Sequence, residues 1–271
     1  MYKKKGEGKM EQNNYSFVDF VDIIKKLRGE GGCPWDREQT HASLKNCMIE
    51  EAYEVVEGID IYEKTKEADN LCEELGDVLL QVVMHAAIAE EEGIFTMKDV
   101  INGISEKMIR RHPHVFGNES ASDSKEVLQN WEEIKKQEKQ EETVSDGMKR
   151  VARALPATIR AEKIQKKAAN VGLNFSSFNE AEKKVFEEID ELRKAVENRH
   201  FERIKEEYGE LLFAVVNLSR FLKLNVENSL TNATDEFINR FVSVEKLAKL
   251  QGKRLDEMSI GELEALWGRI K

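Results

Sequence analysis

Proline occurs three times in 271 residues, cysteine three times, and aromatic residues make up only 7% of the chain. Each scarcity excludes something. So few prolines leave long stretches in which nothing interrupts a helix. The three cysteines, Cys33, Cys47 and Cys72, contain no CxxC pair, which argues against a disulfide framework or a zinc site and fits reduced thiols in the cytoplasm. Positive charge is also short. With 42 Lys and Arg against 52 Asp and Glu, the formal net charge of −10 lacks the basic field of a nucleic-acid groove. No apolar run approaches the length of a membrane span, and the N-terminal MYKKKGEGKMEQNN lacks the apolar core of a signal peptide. Neither nucleic acid nor membrane is therefore expected as a partner, and a cytoplasmic location is.

What is present is charge in quantity (35% of residues) and long apolar stretches with helical spacing. That combination predicts an all-α protein, and the length allows two domains, each with its own core. The chain also repeats itself. IEEAYE at 49–54 and EELGDVLLQVV at 73–83 are echoed by FEEIDE at 186–191 and EEYGELLFAVVN at 206–217. The offset is 137 residues for Glu51/Glu188 and Glu54/Glu191, and 133 for Glu74/Glu207 and Asp77/Glu210. An offset constant within each helix and changed by four between them is most simply a deletion in the intervening loop. Each copy then continues with a basic-tipped helix, ISEKMIRR (104–111) and TDEFINRF (234–241), and ends on a tryptophan helix, NWEEIK (130–135) and LWGRIK (266–271). We read two tandem helical bundle domains of about four or five helices each. A polar tail over 1–15 precedes a first domain over 16–134. A linker or helical extension over 135–150 leads to a second domain over 151–271.

The acidic pairs raise a physical question. Positions three apart lie on one side of a helix, and Glu51 with Glu54 falls at the border of an apolar stripe. Glu74 with Asp77, Glu188 with Glu191, and Glu207 with Glu210 repeat that frame. Two adjacent helices would bring four carboxylates together, and such groups repel unless protonated or neutralised. Hard divalent cations such as Mg²⁺ prefer oxygen ligands, so the pairs are best read as metal sites. A di-iron bundle would use Glu-x-x-His, and no histidine follows these glutamates at that spacing. HPH at 112–114 lacks partner ligands for zinc and is expected to be a helix-terminating turn.

The ordered set EExxE then ExxD, together with GGCPWDREQTHASL, RRHPHVFG and LPATIRAEKIQKKAANVGL, resembles the MazG-type nucleoside triphosphate pyrophosphohydrolases of the all-α NTP pyrophosphatase group. The resemblance covers residues 17–271 in the two-domain form. It implies Mg²⁺-dependent cleavage of an NTP to NMP and diphosphate, with Mn²⁺ as a substitute metal, and it implies homodimers. It implies catalytic and metal-binding roles for Glu51, Glu54, Glu74 and Asp77, with Glu50 nearby. In the second copy it implies the same for Glu188, Glu191, Glu207 and Glu210, with Glu187 beside them. Nucleotide-binding roles carry over to Lys107, Arg111 and Trp131 in the first copy. In the second they carry over to Lys184, Arg203, Arg240 and Trp267.

Two departures stand out. The second acidic motif reads Glu207-Tyr-Gly-Glu210, whose longer final arm moves a ligand by about one methylene, a scale to which catalysis is sensitive. Glu236 stands where the first copy has Lys107. The sequence therefore leaves open which copy is active. It leaves open the substrate as well: standard (d)NTPs, damaged ones, or a guanosine polyphosphate. A nucleotide-sensing or partner-binding helical regulator, with one or both sites non-catalytic, is the alternative.

Overall fold

The computed structural model describes residues 14–138 and 143–270. Most of the expected polar tail (1–13), four residues of the expected linker (139–142) and Lys271 lie outside the described residues. All three prolines sit at helix starts, where a missing N–H is harmless. Pro34 and Pro113 open helices, and Pro156 immediately precedes one.

Among the described residues there are helices and no strand, as the composition predicts. The chain divides into two units, Met1–Glu132 and Glu133–Lys271. The first carries α1 (Phe17–Arg28), α2 (Pro34–Glu38), α3 (Lys45–Thr65), α4 (Asp69–Glu91), α5 (Met97–Arg111), α6 (Pro113–Phe116) and most of α7 (Ser124–Glu138). The second carries α8 (Val144–Lys149), α9 (Ala157–Ala169), α10 (Phe178–Glu197), α11 (Phe201–Leu222), α12 (Val226–Leu250), a 3-10 turn (Leu255–Glu257) and α13 (Ile260–Trp267). The HPH turn behaves as expected: α5 stops at Arg111, and Pro113 begins a separate short helix. The second tryptophan helix is shorter than its sequence suggested, because α13 ends at Trp267 and Gly268–Ile270 turn away.

Capping fixes many of the helix starts. Ser16 with Asp19, Thr96 with Asp99, Thr143 with Asp146 and Ser259 with Glu262 form reciprocal boxes at α1, α5, α8 and α13. In the first unit, Ile24 of α1 packs with Leu44 and with Val83, Met84, Ala87 and Ile88 of α4. Buried Arg28 clasps this end of the bundle. Its guanidinium forms a bidentate pair with Glu91 (2.8 and 2.7 Å) and donates to the carbonyls of Asp36 and Gln39. The segment entering α3 is tied to α4 by His41 and His85, whose Nδ1 atoms lie 2.8 Å apart across stacked rings. In the second unit, Val244, Ala248 and Leu266 form the core between α12 and α13. Gln165 of α9 is buried and donates from Nε2 to the Phe213 carbonyl of α11 at 2.7 Å.

The acidic hairpins are α3–α4 and α10–α11, each the most extensively packed pair of its unit. Three residues join the helices in both, 66–68 and 198–200, with Lys66 and Arg199 in the left-handed conformation. The four-residue difference between the copies is therefore not a loop deletion. It lies in the helices: α3 runs eleven residues beyond Glu54 to Thr65, whereas α10 runs six beyond Glu191 to Glu197. One residue is given back, because α4 starts five before Glu74 while α11 starts six before Glu207. Since 3.6 residues make a turn, a difference of about one turn keeps the same face inward and preserves the acidic frame.

Candidate active site

In the first copy, α3 carries Glu50, Glu51 and Glu54, and α4 carries Glu74 and Asp77. Gly58 lets the two backbones approach closely. A Cβ there would lie 3.1 Å from the Leu71 Cα and 3.1 Å from the Asn70 Oδ1. That proximity brings one oxygen from each of Glu51, Glu54 and Glu74 within 4.8 Å of one another. Asn70, one turn earlier, donates from Nδ2 to Glu74 Oε1 at 2.9 Å. Partial burial of its carboxyl and the neighbouring Glu54 carboxylate raise the Glu74 pKa above its ordinary value, and the Asn70 amide opposes them. Asp77 is half-buried and lies outside this group of three, while Glu50 is exposed.

The second copy converges with a different member missing. Glu188 of α10 with Glu207 and Glu210 of α11 places three oxygens within 4.8 Å. Glu191 is drawn off instead by Lys194, which bonds it at 2.9 Å and lowers its pKa. Glu210 is exposed and joins the group where the shorter Asp77 does not, a difference of one methylene in reach. Glu188 and Glu207 are nearly fully buried, and each carries a cation. Lys184 Nζ lies 2.6 Å from Glu188 Oε1, and Arg203 Nε lies 2.7 Å from Glu207 Oε1. The exposed Glu187 approaches Lys184 at 3.6 Å.

Trp131 and Trp267 are half-buried, and each has an arginine over its ring. Arg111 stands 5.3 Å from the Trp131 ring, with His112 edge-on at 4.9 Å. Arg240 stands 4.2 Å from the Trp267 ring and donates to its backbone carbonyl, with Phe237 packed at 5.1 Å. Lys107 is half-buried on α5, one turn before Arg111. Glu236 is exposed on α12.

The description "MazG nucleotide pyrophosphohydrolase domain" matches the chain twice, over residues 39–116 and 177–246. A Thermotoga maritima protein named nucleoside triphosphate pyrophosphohydrolase/pyrophosphatase MazG is 44% identical over 262 residues, covering 97% of this chain and 98% of its own. An Escherichia coli K12 protein named nucleoside triphosphate pyrophosphohydrolase is 41% identical over 256 residues, covering 93% and 95%. The uncharacterized protein YabN of Bacillus subtilis is 48% identical over 95% of this chain, which spans 52% of YabN.

The chain belongs to the MazG nucleotide pyrophosphohydrolase family. That membership classes it as a hydrolase of phosphorus-containing anhydrides. Both matched stretches contain the acidic hairpins, so each MazG copy carries its own carboxylate group. Three oxygen donors, with no histidine or cysteine among them, suit a hard cation such as magnesium or manganese. The residues present fit the metal that MazG sequences imply.

Reading the motifs alone missed Asn70, which holds Glu74, and Lys194, which removes Glu191 from its group. Both were within reach of the repeat offsets. Position 70 matches Arg203 at 133 residues, and position 57 matches Lys194 at 137. The signal was the difference between the copies, whereas the motif comparison follows only what they share.

Proposed function

We propose that the protein is a magnesium-dependent nucleoside triphosphate pyrophosphohydrolase that converts NTP and water to NMP and diphosphate. Its substrates in this reading are standard (d)NTPs together with damaged ones. The observation that carries it is the convergence of three carboxylates in each copy of a MazG hairpin pair. In this reading Glu51, Glu54 and Glu74 hold the metal in the first copy, and Glu188, Glu207 and Glu210 hold it in the second. Bound metal would supply charge neutralisation for the triphosphate and a more acidic water.

The chain does the rest. Water attacks the α-phosphorus, the bond from that phosphorus to the α–β bridging oxygen breaks, and diphosphate leaves carrying the electron pair. A carboxylate at the site takes the water proton. Lys107 and Arg111 in the first copy, and Lys184, Arg203 and Arg240 in the second, balance charge on the leaving group. Trp131 and Trp267 offer ring faces to the base.

The protein acts as a cytoplasmic homodimer in this reading. No helix among the described residues is long and apolar enough to cross a membrane. The outer faces of the hairpins display Ile49, Tyr53, Val56 and Ile59 on α3, and Leu212, Phe213 and Val215 on α11, all at least 43% exposed. Apolar faces of that extent favour burial against a second copy.

Ion-exchange chromatography of the products after incubation with Mg²⁺ and each NTP tests the reaction. NMP with diphosphate is the expected result. NDP with orthophosphate, or no turnover, would refute it. Glu74→Gln and Glu207→Gln, made separately, assign turnover to one copy or to both.

A further inference from the structure

The repeat offsets place the two carboxylate groups in contrasting company. In the second copy Lys184 and Arg203 are bonded to Glu188 and Glu207 of the group, and Lys194 to Glu191 beside it. The matching positions in the first copy hold Cys47, Glu57 and Asn70. At the last of these the contact itself is retained. Arg203 reaches Glu207, and Asn70 reaches Glu74, each across four residues of one helix, but a guanidinium has become a neutral amide. The charged neighbours that influence Glu74 are the carboxylates Glu54 and Glu73. The side chains of Glu188 and Glu207 are only 4% exposed, whereas those of Lys184 and Arg203 are 44% and 55% exposed. The carboxylates lie inside, and their counterions stand at the surface, open to solvent.

We propose that the copies take metal by different routes: the first binds a divalent cation unaided, and the second binds it only together with an anionic nucleotide. Lys184 and Arg203 act as built-in counterions that occupy Glu188 and Glu207 until phosphates offer them another partner. Two buried carboxylates already compensated by cations gain little from a metal, because the incoming charge must displace or repel those cations. Triphosphate removes that opposition by drawing the lysine and arginine onto its own oxygens, where they steady the leaving group. Lys184 and Arg203 thus serve two sites in turn. Metal occupancy of the second copy becomes a report of nucleotide presence. This inference rests on the nucleotide-hydrolysing role proposed above and specifies how that site is regulated.

The test counts bound Mn²⁺ by electron paramagnetic resonance in the full chain, without nucleotide and then with an α,β-methylene nucleoside triphosphate. Without nucleotide, Glu74→Gln is expected to lose the tight Mn²⁺ and Glu207→Gln to keep it. The double change Lys184→Cys/Arg203→Asn should create a second nucleotide-free site. It should strengthen Mn²⁺ binding in the second copy by roughly tenfold or more. The reciprocal Cys47→Lys/Asn70→Arg should weaken the first by a similar factor. In Glu74→Gln, the analogue should restore a protein-bound Mn²⁺ signal distinct from manganese–nucleotide in solution. Circular dichroism checks that each variant is folded. Equal loss in Glu74→Gln and Glu207→Gln, or an unchanged count after the Lys184/Arg203 exchange, would overturn the inference. So would a wild-type protein that binds no Mn²⁺ without nucleotide. These outcomes leave the product assay untouched, whereas a wrong product refutes the parent reading.

Discussion

Glu74 shows how one residue divides between stability and function. Partial burial of its carboxyl and the Glu54 carboxylate beside it raise its pKa, so the folded chain favours the protonated form more than the unfolded chain does. A carboxyl whose folded pKa is raised loses its contribution to stability as pH climbs through that value, and at neutral pH it opposes folding. A bound metal would relieve the repulsion, and so would neutralising the side chain. Glu74→Gln keeps an oxygen for the Asn70 amide, so its melting temperature in EDTA is expected to exceed that of the parent. The rise in melting temperature on adding Mg²⁺ should be smaller in the variant, because a ligand stabilises only what it binds. First-copy turnover should fall by roughly 100-fold or more, since even outer-shell changes at metal sites reach that scale. Calorimetry with and without Mg²⁺ checks the stability half, and a lower melting temperature in EDTA would contradict it.

At the scale of elements, the α3–α4 contact depends on a missing side chain. Gly58 is buried where Leu71 and Asn70 come closest, and the matching position in α10 is Ala195, also buried. Gly58→Leu overpacks that contact and should destabilise the first unit by roughly 1–3 kcal/mol in urea unfolding. It should also separate Asn70 from Glu74. The start of α13 makes a pH prediction. Lys253 and the Ser259 cap lower the Glu262 pKa from 4.5 to about 2. A carboxylate with a depressed folded pKa contributes stability above its unfolded value and loses it as pH falls through the folded one. Glu262→Gln should therefore lower the melting temperature at pH 7, and the gap from wild type should close between about pH 4.5 and 2. Much of this was legible in the sequence. The helices, the proline positions and the acidic frame all follow from local chemistry at fixed spacing. The hairpin length was not, because four residues added to the helices and four added to the loop give the same numerical offset. Nor was the carboxylate that stands outside each group, Asp77 in the first and Glu191 in the second, which depends on the shorter reach of Asp77 and on Lys194 capturing Glu191.

For the whole molecule, two copies of one unit have kept their carboxylates and exchanged the charges around them. The exposed apolar faces on α3 and α11 argue that the protein works as a pair. Light scattering is expected to give about twice the 31.2 kDa chain mass, and Ile59→Glu with Leu212→Glu should shift it toward a single chain. A wild-type mass of one chain would contradict the dimer. The central claim is that acidic side chains from neighbouring helices gather around a divalent cation. Anomalous diffraction at the manganese edge, from crystals grown with Mn²⁺ and an α,β-methylene nucleoside triphosphate, tests it most directly. The account predicts peaks among Glu51, Glu54 and Glu74 and among Glu188, Glu207 and Glu210. Manganese bound elsewhere, with both groups of carboxylates turned to solvent, would contradict it.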